Sequence, residues 1–374
     1  MKKIGITGQH GFIGTHLANN ILLQKDEYEL IPFKKESFED QHQLKNWVSE
    51  CDIIIHLAGI NRHDDLKELY RLNVSFAEKL IAALEEANHK PFLLFSSSIQ
   101  EENNNEYGNA KKKAREILHD WSIRNDSKFC GLLIPNVFGP LGKPFYNSGI
   151  ATFCYQLTHE LEPKVLKNNY LKLIYIDDLI KYIFEIIRKE QFSPQYYIPA
   201  TYERKVSDIL LILDSFKRIY FEKGEIPDLK DPFHLNLFNT FRAAIDHKTY
   251  FPRKFSIHSD ERGVFVELIK LYDKGQISFS TTKPGIIRGN HFHTRKIERF
   301  AVIKGRAIIK LRCYRTDEVI SFEIDGTTSP AYVDMPVWYS HNIANIGEDE
   351  LITVFWINEI YDPNDADTYM ENVN

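Results

Sequence analysis

The chain has 374 residues and a formal net charge of −5 at pH 7, and 43% of its residues are hydrophobic and 26% are charged. Its length favours two domains, because a single hydrophobic core rarely grows beyond about 250–300 residues. The negative charge provides no general attraction to nucleic acid or anionic lipid, and no apolar run reaches the roughly 18 residues that a membrane span needs.

The N-terminal half alternates short apolar runs with amphipathic stretches. The amphipathic stretches, such as 12–24 and 73–88, have the periodicity of helices that cover a sheet. The apolar runs have the composition of strands that are buried on both faces. Five runs are of this kind: 2–7, 28–33, 51–58, 91–98 and 129–135. This alternation predicts a Rossmann-like α/β fold with a doubly wound parallel sheet.

The C-terminal third has a different character. A mostly helical and polar segment, 206–249, joins it to the preceding part, and we expect two domains, residues 1–247 and residues 248–374. The short runs that follow are rich in β-branched and aromatic residues and are separated by turns with Gly, Pro or Asp, which predicts an all-β antiparallel sandwich or small barrel. The predicted strands are 264–270, 276–282, 299–305, 307–314, 319–324, 330–335, 341–347 and 351–357.

Three glycines, Gly8, Gly11 and Gly14, follow the first predicted strand at the start of the first predicted helix. A tight strand-to-helix turn requires glycine, and the missing side chains let a pyrophosphate approach the N–H groups of the helix N-terminus. An ordinary tight turn would also use glycine, but the strand–turn–helix context favours dinucleotide binding.

Two lysines indicate which dinucleotide is bound. Folds that prefer NAD usually carry an acidic residue at the end of the second strand, where it binds the ribose 2′-hydroxyl. Here Lys34 and Lys35 occupy that place. A lysine favours a 2′-phosphate, so the sequence predicts NADPH, although either lysine alone could be a solvated loop residue.

A tyrosine and a lysine stand four residues apart in the sequence YGNAK, as Tyr107 and Lys111. On a helix, positions i and i+4 share one face, so the phenol and the ammonium can share a site. We expect the positive charge to lower the pKa of the phenol, which then donates a proton to a carbonyl oxygen while hydride arrives at the carbon. A serine at the end of the preceding strand would hold that oxygen, with Ser98 the first choice and Ser97 the second.

Residues 1–190 resemble the extended short-chain dehydrogenase/reductase family, whose members oxidise, reduce or epimerise nucleotide sugars. The family landmarks occur in order: TGQHGFIG, DIIIHLAG, LNV, FSSS, YGNAK, PNVFGP and YIDDL. The resemblance implies that the cofactor is also contacted by Phe12, Ile13, Leu57, Ala58, Gly59, Asn73, Lys111 and Asn136. It further implies that Asn73 supports the helix of Tyr107. The loop between Ser98 and Tyr107 departs from the family, because its 8 residues are fewer than most members have.

The C-terminal third contains two histidines one residue apart, His291 and His293. On a strand both imidazoles point to the same face, and Glu298 and His341 can complete a set of three nitrogens and one oxygen. Such a set suits Zn²⁺, Fe²⁺, Mn²⁺ or Ni²⁺. Two histidines on the polar face of a strand need no metal, so the pair alone would be weak evidence.

The spacing around these histidines resembles the cupin family. Residues 285–305 match its first motif, with two histidines, a glutamate and flanking glycines, and residues 336–345 match its second motif. The resemblance implies a jelly-roll domain whose metal, zinc by preference, is held by the three histidines and the glutamate. Trp338 stands where the family usually has glycine.

A divalent cation can act as a Lewis acid that polarises a ketone and acidifies the adjacent C–H bond. The sequence does not identify the base that would remove that proton. The candidates are Lys283, Arg288, Lys296, Tyr332 and Tyr339, and each is equally well explained as a surface charge or a packed ring.

Across its whole length the chain resembles the bifunctional capsular-polysaccharide enzymes that form UDP-N-acetyl-L-6-deoxytalosamine, and residues 280–305 carry the closer match. The resemblance implies C3 epimerisation of a UDP-2-acetamido-2,6-dideoxy-hexos-4-ulose by the cupin domain, then C4 reduction with NADPH by the N-terminal domain, in a homodimer. Scattered cysteines without a CxxC pair favour a cytoplasmic protein. The alternatives are a reductase whose zinc only stabilises the cupin, and a non-catalytic nucleotide- and sugar-binding protein.

Overall fold

The computed structural model of the chain describes residues 1–103, 105–146, 148–255, 257–260, 263–266, 268–269, 275–359 and 362–374. By their contacts, these residues form two compact units. Unit one consists of Met1–Thr152 and Leu166–Val206, and unit two consists of Phe153–Val165 and Ser207–Asn374. Within the described ranges, no helix is both long enough and apolar enough to cross a lipid bilayer.

Unit one is built around a parallel β-sheet, as the alternating sequence pattern predicts. Its strands are β1 (Lys2–Thr7), β2 (Tyr28–Ile31), β3 (Ile53–His56), β4 (Phe92–Ser98), β5 (Phe129–Ile134), β6 (Asn136–Phe138), β7 (Tyr170–Tyr175), β8 (Ser193–Tyr197) and β9 (Tyr202–Lys205). In the described part of the chain, the main sheet has the order β2-β1-β3-β4-β5-β8, and β6, β7 and β9 form a smaller sheet. All neighbours in the main sheet run parallel, which confirms the predicted Rossmann-like fold.

Helices connect these strands and pack against the sheet. They are α1 (Phe12–Leu23), α2 (Gln41–Ser49), α3 (Leu66–Ala87), α4 (Glu106–Arg124) and α6 (Ile176–Arg188). A further helix, α5 (Gly149–Thr158), begins in unit one and continues into unit two after Thr152. Side chains of α2, α3 and α4 share one buried apolar core with β3, β4 and β5. The start of α3 is earlier than the predicted residue 73, because the Asp65 carboxylate accepts a hydrogen bond from Lys67 N over 2.8 Å and caps the helix there.

The order of the strands changes direction at β1. The chain places β2 on one side of β1 and β3 on the other side. In doubly wound folds, ligands bind in the crevice at the carboxyl ends of the strands where the order reverses. Gly8 directly follows β1 and Leu57 directly follows β3, so both residues lie at this crevice.

Unit two contains two antiparallel sheets that share one core. Its strands are β10 (Arg253–Lys254), β11 (Ile257–Asp260), β12 (Gly263–Val266), β13 (Gln276–Thr282), β14 (Ile287–Phe292), β15 (Glu298–Lys304), β16 (Arg306–Cys313), β17 (Val319–Asp325), β18 (Ala331–Met335), β19 (Tyr339–Asn345), β20 (Leu351–Ile357) and β21 (Tyr369–Met370). Among the described residues, the sheet orders are β10-β18-β15-β20-β13 and β17-β16-β19-β14-β21. Val302 and Val333 of the first sheet pack in one core with Ile309 and Ile343 of the second, which confirms the predicted sandwich.

The first predicted strand of the sandwich, 264–270, corresponds to β12 and the residues after it. Together with β11, β12 forms an antiparallel hairpin. Positions 267 and 270 lie outside the described residues, so the predicted end of this strand at residue 270 stays a prediction.

A helical segment precedes these strands in unit two. Its elements are α7 (Val206–Phe216), a π-helical turn (Lys217–Glu222), α8 (Pro232–Arg242) and α9 (His247–Tyr250). A buried ion pair joins this segment to the strands, because Arg299 donates to Asp334 over 2.8 Å and Tyr220 donates to the same carboxylate. Arg299 also donates to Gly224 O over 2.8 Å. Removing one partner of a buried pair costs about 3–5 kcal/mol, so this cluster holds the helices and strands together.

The contacts therefore divide the chain at Val206 and Ser207, whereas the predicted domain boundary lies between residues 247 and 248. The difference arises because the segment 207–250 packs with the strands of unit two through buried polar groups. The boundary between residues 247 and 248 was predicted as the limit between two domains that fold independently, and in that sense it stays a prediction.

Candidate functional site

A cavity of about 440 Å³ lies in unit one, where the glycine turn, the end of β4 and the start of α4 meet. Most of the predicted cofactor-binding and catalytic residues line it: Gly8, Gly11, Phe12, Ile13, Gly14, Leu57, Gly59, Ser97, Ser98, Tyr107, Lys111 and Asn136. The structure thus brings the predicted dinucleotide-binding turn and the predicted proton donor to one crevice.

The glycine turn closes tightly on its own backbone. Gly8 has a φ of +74°, which residues with side chains rarely adopt, and a Cβ on Gly14 would lie 2.2 Å from Gly8 O. Gly11 is the N-cap of α1, and it has no side chain that could accept hydrogen bonds from the first N–H groups of the helix. Those N–H groups can face an anion, so the turn fits the pyrophosphate of a nicotinamide dinucleotide.

Lys111 is buried, with 4% of its surface exposed. Its ammonium donates to Ser96 O over 2.9 Å and lies 5.0 Å from the centre of the Phe95 ring. Burial lowers the pKa of Lys111 to about 8, and the Glu101 carboxylate acts in the opposite direction. At neutral pH the side chain therefore still carries most of its positive charge beside the cavity.

The prediction that Lys111 lowers the pKa of the Tyr107 phenol is wrong for this structure. Burial, with a smaller contribution from the nearby Tyr146 phenol, raises that pKa to about 12. The Lys111 ammonium is directed to the Ser96 carbonyl instead. Tyr107 is consequently protonated at neutral pH, which is the form that a proton donor requires.

The two candidate serines have different partners. Ser97 donates to the carboxylate of Glu101, which Arg115 also binds, with its Nη2 2.8 Å from Oε2. Ser98 Oγ instead accepts a hydrogen bond from Gln100 N over 3.2 Å, so its proton can be donated to a ligand. The geometry therefore favours Ser98 as the serine that holds a substrate oxygen, which is also the first choice from the sequence.

Two of the predicted cofactor residues support the backbone around the cavity. Asn73 accepts a hydrogen bond from Ile60 N over 3.1 Å and donates to Ile60 O over 2.9 Å, which fixes the loop after β3. Ala58 N donates to Thr7 Oγ1 over 3.2 Å. Neither Asn73 nor Ala58 is among the described residues that line the cavity. Both residues therefore stabilise the backbone next to the cavity and do not form its wall.

Lys34 and Lys35 are exposed residues just beyond β2, and Lys34 is the N-cap of the 3₁₀ helix Lys35–Glu39. Because β2 lies beside β1 in the sheet, both lysines are on the side of the glycine turn. They are absent from the cavity lining as far as the chain is described. Their contact with a 2′-phosphate stays a prediction.

The cavity also has polar residues that the sequence motifs did not identify. They are His10, Asn61, Gln100, Lys143, Tyr146 and Ser148. Lys143 and Tyr146 follow the PNVFGP landmark, and the Lys143 ammonium lies 5.4 Å from the centre of the Tyr146 ring. The available signal was the Gly- and Pro-rich stretch 139–149, since loops of this kind often contribute ligand contacts.

A second cluster lies in unit two, on strands of both sheets. His291 on β14 stands opposite His341 on β19 in the register of the two strands. Glu298 begins β15, and His293 directly follows β14. One ligand atom from each of these residues lies within 4.8 Å of those of the other three. The structure thus brings together all four predicted metal ligands.

The buried polar atoms of this cluster fit a metal ion. Glu298 Oε2 lies 3.1 Å from His293 Nε2 and 3.0 Å from His341 Nε2. Despite these distances, none of the three atoms has a hydrogen bond of acceptable geometry to a described residue. An unsatisfied buried polar atom costs about 1–3 kcal/mol. A divalent cation would satisfy all three atoms at once, and three imidazoles with one carboxylate suit zinc.

The protonation states of His291 and Glu298 also fit metal binding. Burial lowers the pKa of His291 to about 4, and the neighbouring His341 and His293 act in the same direction. Although burial alone would raise it, contacts with His293 and His341 hold the pKa of the Glu298 carboxyl below its usual range. The imidazole is thus neutral and the carboxylate ionised, which are the forms that ligate a metal.

Trp338 occupies a backbone conformation that explains why the cupin motif usually has glycine there. Its φ is +63°, a value that bulky residues rarely adopt. The indole is buried with its ring centre 5.5 Å from that of Phe292, and Trp338 N donates to His293 O over 2.8 Å. Packing and this hydrogen bond therefore hold Trp338 in this strained conformation just before His341.

The cationic candidates for a base are engaged away from the cluster or are at the surface. Lys296 is buried, and its ammonium donates to Ala366 O over 2.6 Å. Arg288 donates to Thr282 Oγ1 over 3.1 Å, and Lys283 is exposed. None of these contacts directs a cation to the four ligands.

The two tyrosine candidates are packed rings. The Arg299 guanidinium lies 3.9 Å from the centre of the Tyr332 ring, within the buried Arg299–Asp334 cluster. Tyr339 packs against His247, with the ring centres 5.3 Å apart. Burial raises the pKa of both phenols, so both stay protonated at neutral pH and neither is ready to accept a proton.

Comparisons with known proteins cover both units. Residues 4–198 match the NAD dependent epimerase/dehydratase family, and residues 258–369 match the Polysaccharide biosynthesis C-terminal domain. A relative from Pseudomonas aeruginosa, named UDP-2-acetamido-2,6-beta-L-arabino-hexul-4-ose reductase, is 32% identical over 380 residues, which cover 98% of each protein. The Spore coat polysaccharide biosynthesis protein SpsL of Bacillus subtilis is 29% identical over 124 residues, which cover 31% of this chain and 82% of SpsL.

A solved structure matches over the same length. The capsular polysaccharide assembling protein CapF from Staphylococcus aureus is 32% identical, with a TM-score of 0.64, and the match covers 99% of this chain and 100% of CapF. These matches confirm the resemblance to nucleotide-sugar enzymes of polysaccharide synthesis. The chain therefore belongs to the NAD dependent epimerase/dehydratase family, as a member that also carries a polysaccharide biosynthesis C-terminal domain.

Proposed function

We propose that the chain reduces the C4 ketone of a UDP-2-acetamido-2,6-dideoxy-hexos-4-ulose with NADPH, after epimerising C3 of the same molecule at a metal site in unit two. The product would be UDP-N-acetyl-L-6-deoxytalosamine for capsular or O-antigen polysaccharide, and the active form a homodimer. The observation that carries the proposal is the cavity that the glycine turn shares with Ser98, Tyr107 and Lys111. The reductase from Pseudomonas aeruginosa, which matches 98% of the chain, supports the choice of substrate.

The reduction is divided between the cofactor and three side chains. NADPH, when bound, supplies the hydride that is transferred to C4. Tyr107 donates its phenol proton to the C4 oxygen, so that the ketone becomes a hydroxyl. The Lys111 ammonium, held by Ser96 O at the end of β4, keeps a positive charge beside the cavity in which the ketone is reduced. Ser98 holds the C4 oxygen through its hydroxyl proton.

The short loop after β4 determines which serine is available. Glu101 and Arg115 form an ion pair that is buried on both sides, and Arg115 lies on α4, the helix of Tyr107 and Lys111. The pair therefore ties the loop to the catalytic helix. Since Ser97 donates to Glu101, we assign the C4 oxygen to Ser98.

The epimerisation is the part of the proposal that rests on the metal ligands. His291, His293, Glu298 and His341 would hold a divalent cation, which would supply a Lewis acid for the ketone oxygen and thereby acidify the neighbouring C3–H bond. His291 is the half-buried member of the four ligands, whereas the other three are buried. The accessible side of the site is therefore the side of His291, from which a sugar would approach.

A reductase with a purely structural metal is the second candidate. It is favoured by the positions of Lys296, Arg288, Tyr332 and Tyr339, which leave the epimerisation without an assigned base among the described residues. A non-catalytic binding protein is disfavoured, because binding alone does not require a tyrosine, a lysine and a serine in one cavity. Tyr107, Lys111 and Ser98 line the same cavity, as a ketone reductase requires.

Product analysis separates these candidates. The full-length protein is incubated with NADPH and a UDP-linked 2-acetamido-2,6-dideoxy-4-keto sugar, NADPH is followed at 340 nm, and the product is identified by NMR. We expect NADPH oxidation and a sugar with inverted C3. A product with unchanged C3 would support the reductase with a structural metal. Absence of NADPH oxidation would contradict both enzymatic candidates.

The proposal also predicts a preference for NADPH over NADH. A charge-assisted contact contributes about 1.5–3 kcal/mol, so contact between a 2′-phosphate and Lys34 or Lys35 should raise kcat/KM for NADPH by roughly 10- to 100-fold. Replacing both lysines with alanine should remove this advantage without changing kcat/KM for NADH. Lys25→Ala, an exposed lysine just before β2, is the matched control. Equal kcat/KM for the two cofactors in the unaltered protein would rule out that Lys34 or Lys35 binds the 2′-phosphate.

A further inference from the structure

The C-terminal segment 365–374 runs beside the strand that carries His291. β21 pairs with β14, so that Met370 lies opposite His291 and Tyr369 opposite Phe292. Glu371 N donates to Asn290 O over 2.9 Å. This segment adds a strand to the edge of the sheet at the metal ligands, although it is far from them in sequence.

Asp367 is the point at which this segment contacts the loop between His293 and Glu298. Its carboxylate accepts hydrogen bonds from Thr294 N over 3.2 Å and from Thr294 Oγ1 over 2.6 Å. The other carboxylate oxygen accepts from Arg295 N over 2.9 Å and from Lys296 N over 3.0 Å. One side chain thereby satisfies three consecutive backbone N–H groups of the loop.

The backbone of Asp367 makes a separate contact with a metal ligand. His293 Nδ1 lies 2.5 Å from Asp367 O, and a carbonyl oxygen can only accept, so Nδ1 carries the proton. The lone pair of the ring is then on Nε2, the atom that lies 3.1 Å from Glu298 Oε2. This contact fixes both the tautomer and the orientation of His293, as second-shell carbonyls do at metal sites.

We propose that Asp367 is a positioning residue of the metal site, which sets the geometry of His293 and of the loop that leads to Glu298. The proposal rests on the metal site of the proposed function. With 7% of its surface exposed, Asp367 is removed from solvent, so its hydrogen bonds are not shared with water. A φ of +42°, unusual for a residue with a side chain, holds its carboxylate and its carbonyl toward the loop.

A neighbouring aspartate provides a matched control. Asp365 belongs to the same segment, and its carboxylate lies 2.7 Å from the Arg295 guanidinium, but 68% of its side chain is exposed. An exposed ion pair contributes little to stability, because water screens both charges. Asp365→Asn therefore changes the same charge in the same segment without changing the contacts to His293.

The experiment compares zinc affinity of the full-length protein, its Asp367→Asn variant and its Asp365→Asn variant by competition with a chromophoric chelator. Asparagine keeps the size of the side chain, but its amide NH₂ would face the N–H groups of Arg295 and Lys296. Loss of a second-shell partner lowers metal affinity by about 10- to 100-fold, and we expect this loss for Asp367→Asn only. The absorption spectrum of the Co²⁺-substituted protein should change in the same variant, because the orientation of His293 differs.

The outcomes distinguish this proposal from the metal site itself. Zinc affinity and a Co²⁺ spectrum unchanged by Asp367→Asn would overturn the positioning role while leaving the site intact. An unaltered protein that binds no zinc would overturn both. If Asp367→Asn does not fold, as judged by circular dichroism, Thr294→Val replaces it. That variant removes one of the hydrogen bonds to Asp367, so we expect a smaller loss of affinity, and no loss would overturn the proposal.

Discussion

Replacing Tyr107 with phenylalanine is expected to lower kcat for ketone reduction by roughly 10²–10⁴-fold, the usual contribution of a positioned general acid. The substitution keeps the ring that lines the cavity and removes only the phenol proton. NADPH binding, measured by fluorescence titration, should therefore stay close to that of the unaltered protein. The reaction loses its proton source while the cofactor site is preserved.

The control for this substitution is Tyr197→Phe. The Tyr197 phenol is exposed and donates to Glu102 over 3.2 Å, and this tyrosine is not among the described residues that line the cavity. We expect the Tyr197→Phe variant to reduce the ketone at the rate of the unaltered protein. Turnover by Tyr107→Phe close to that rate would exclude the phenol as proton donor, because no second group supplies a proton in the proposed reaction.

The fold of unit one could be predicted because its signals are local. Buried parallel strands are continuous apolar runs, and the runs at 2–7 and 129–135 correspond to β1 and β5. The start of α3 was missed, although Leu66, Leu69 and Tyr70 extend the apolar period of the helix toward its cap at Asp65. The shared position of Tyr107 and Lys111 was predictable for the same reason, because both residues belong to one helix.

The extent of unit two could not be predicted, because it depends on pairs that are distant in sequence. Arg299 and Asp334 are charged residues, which in a sequence are usually expected at solvent-exposed positions. In the structure both are buried and bind Tyr220 and Gly224 of the helical segment. Helices 207–250 therefore pack with the sandwich, although their composition resembles that of a connecting segment.

The candidate metal site shows the same contrast between features that a local sequence motif predicts and features that depend on the tertiary structure. Spacing identified His291, His293, Glu298 and His341, since a shared motif fixes their places on the strands. Asp367 was missed, because it contacts the site through backbone groups and has no fixed spacing to the ligands. The pKa of Tyr107 was predicted with the wrong sign, because the direction of the Lys111 ammonium and the burial of the phenol are tertiary properties.

Replacing both His291 and His341 with alanine should remove the metal and abolish exchange at C3. Zinc content measured by elemental analysis should fall to background, since a single imidazole and one carboxylate bind zinc weakly compared with the full set of four ligands. The unaltered protein, incubated with the 4-keto sugar in deuterated water without NADPH, should incorporate deuterium at C3, and the double variant should not. Reduction of a ketone with the final C3 configuration should persist, because the cavity of unit one is unchanged.

A variant with two other histidines replaced, His42→Ala with His63→Ala, controls for the loss of two imidazoles, since both residues are exposed in unit one. It should keep both zinc and C3 exchange. Unchanged zinc content in the His291 and His341 variant would refute the ligand assignment. Loss of zinc with full C3 exchange would show that the metal only stabilises the sandwich. Loss of both, with ketone reduction retained, would assign the epimerisation to the metal site, because a metal that only stabilised the fold would not separate the two reactions.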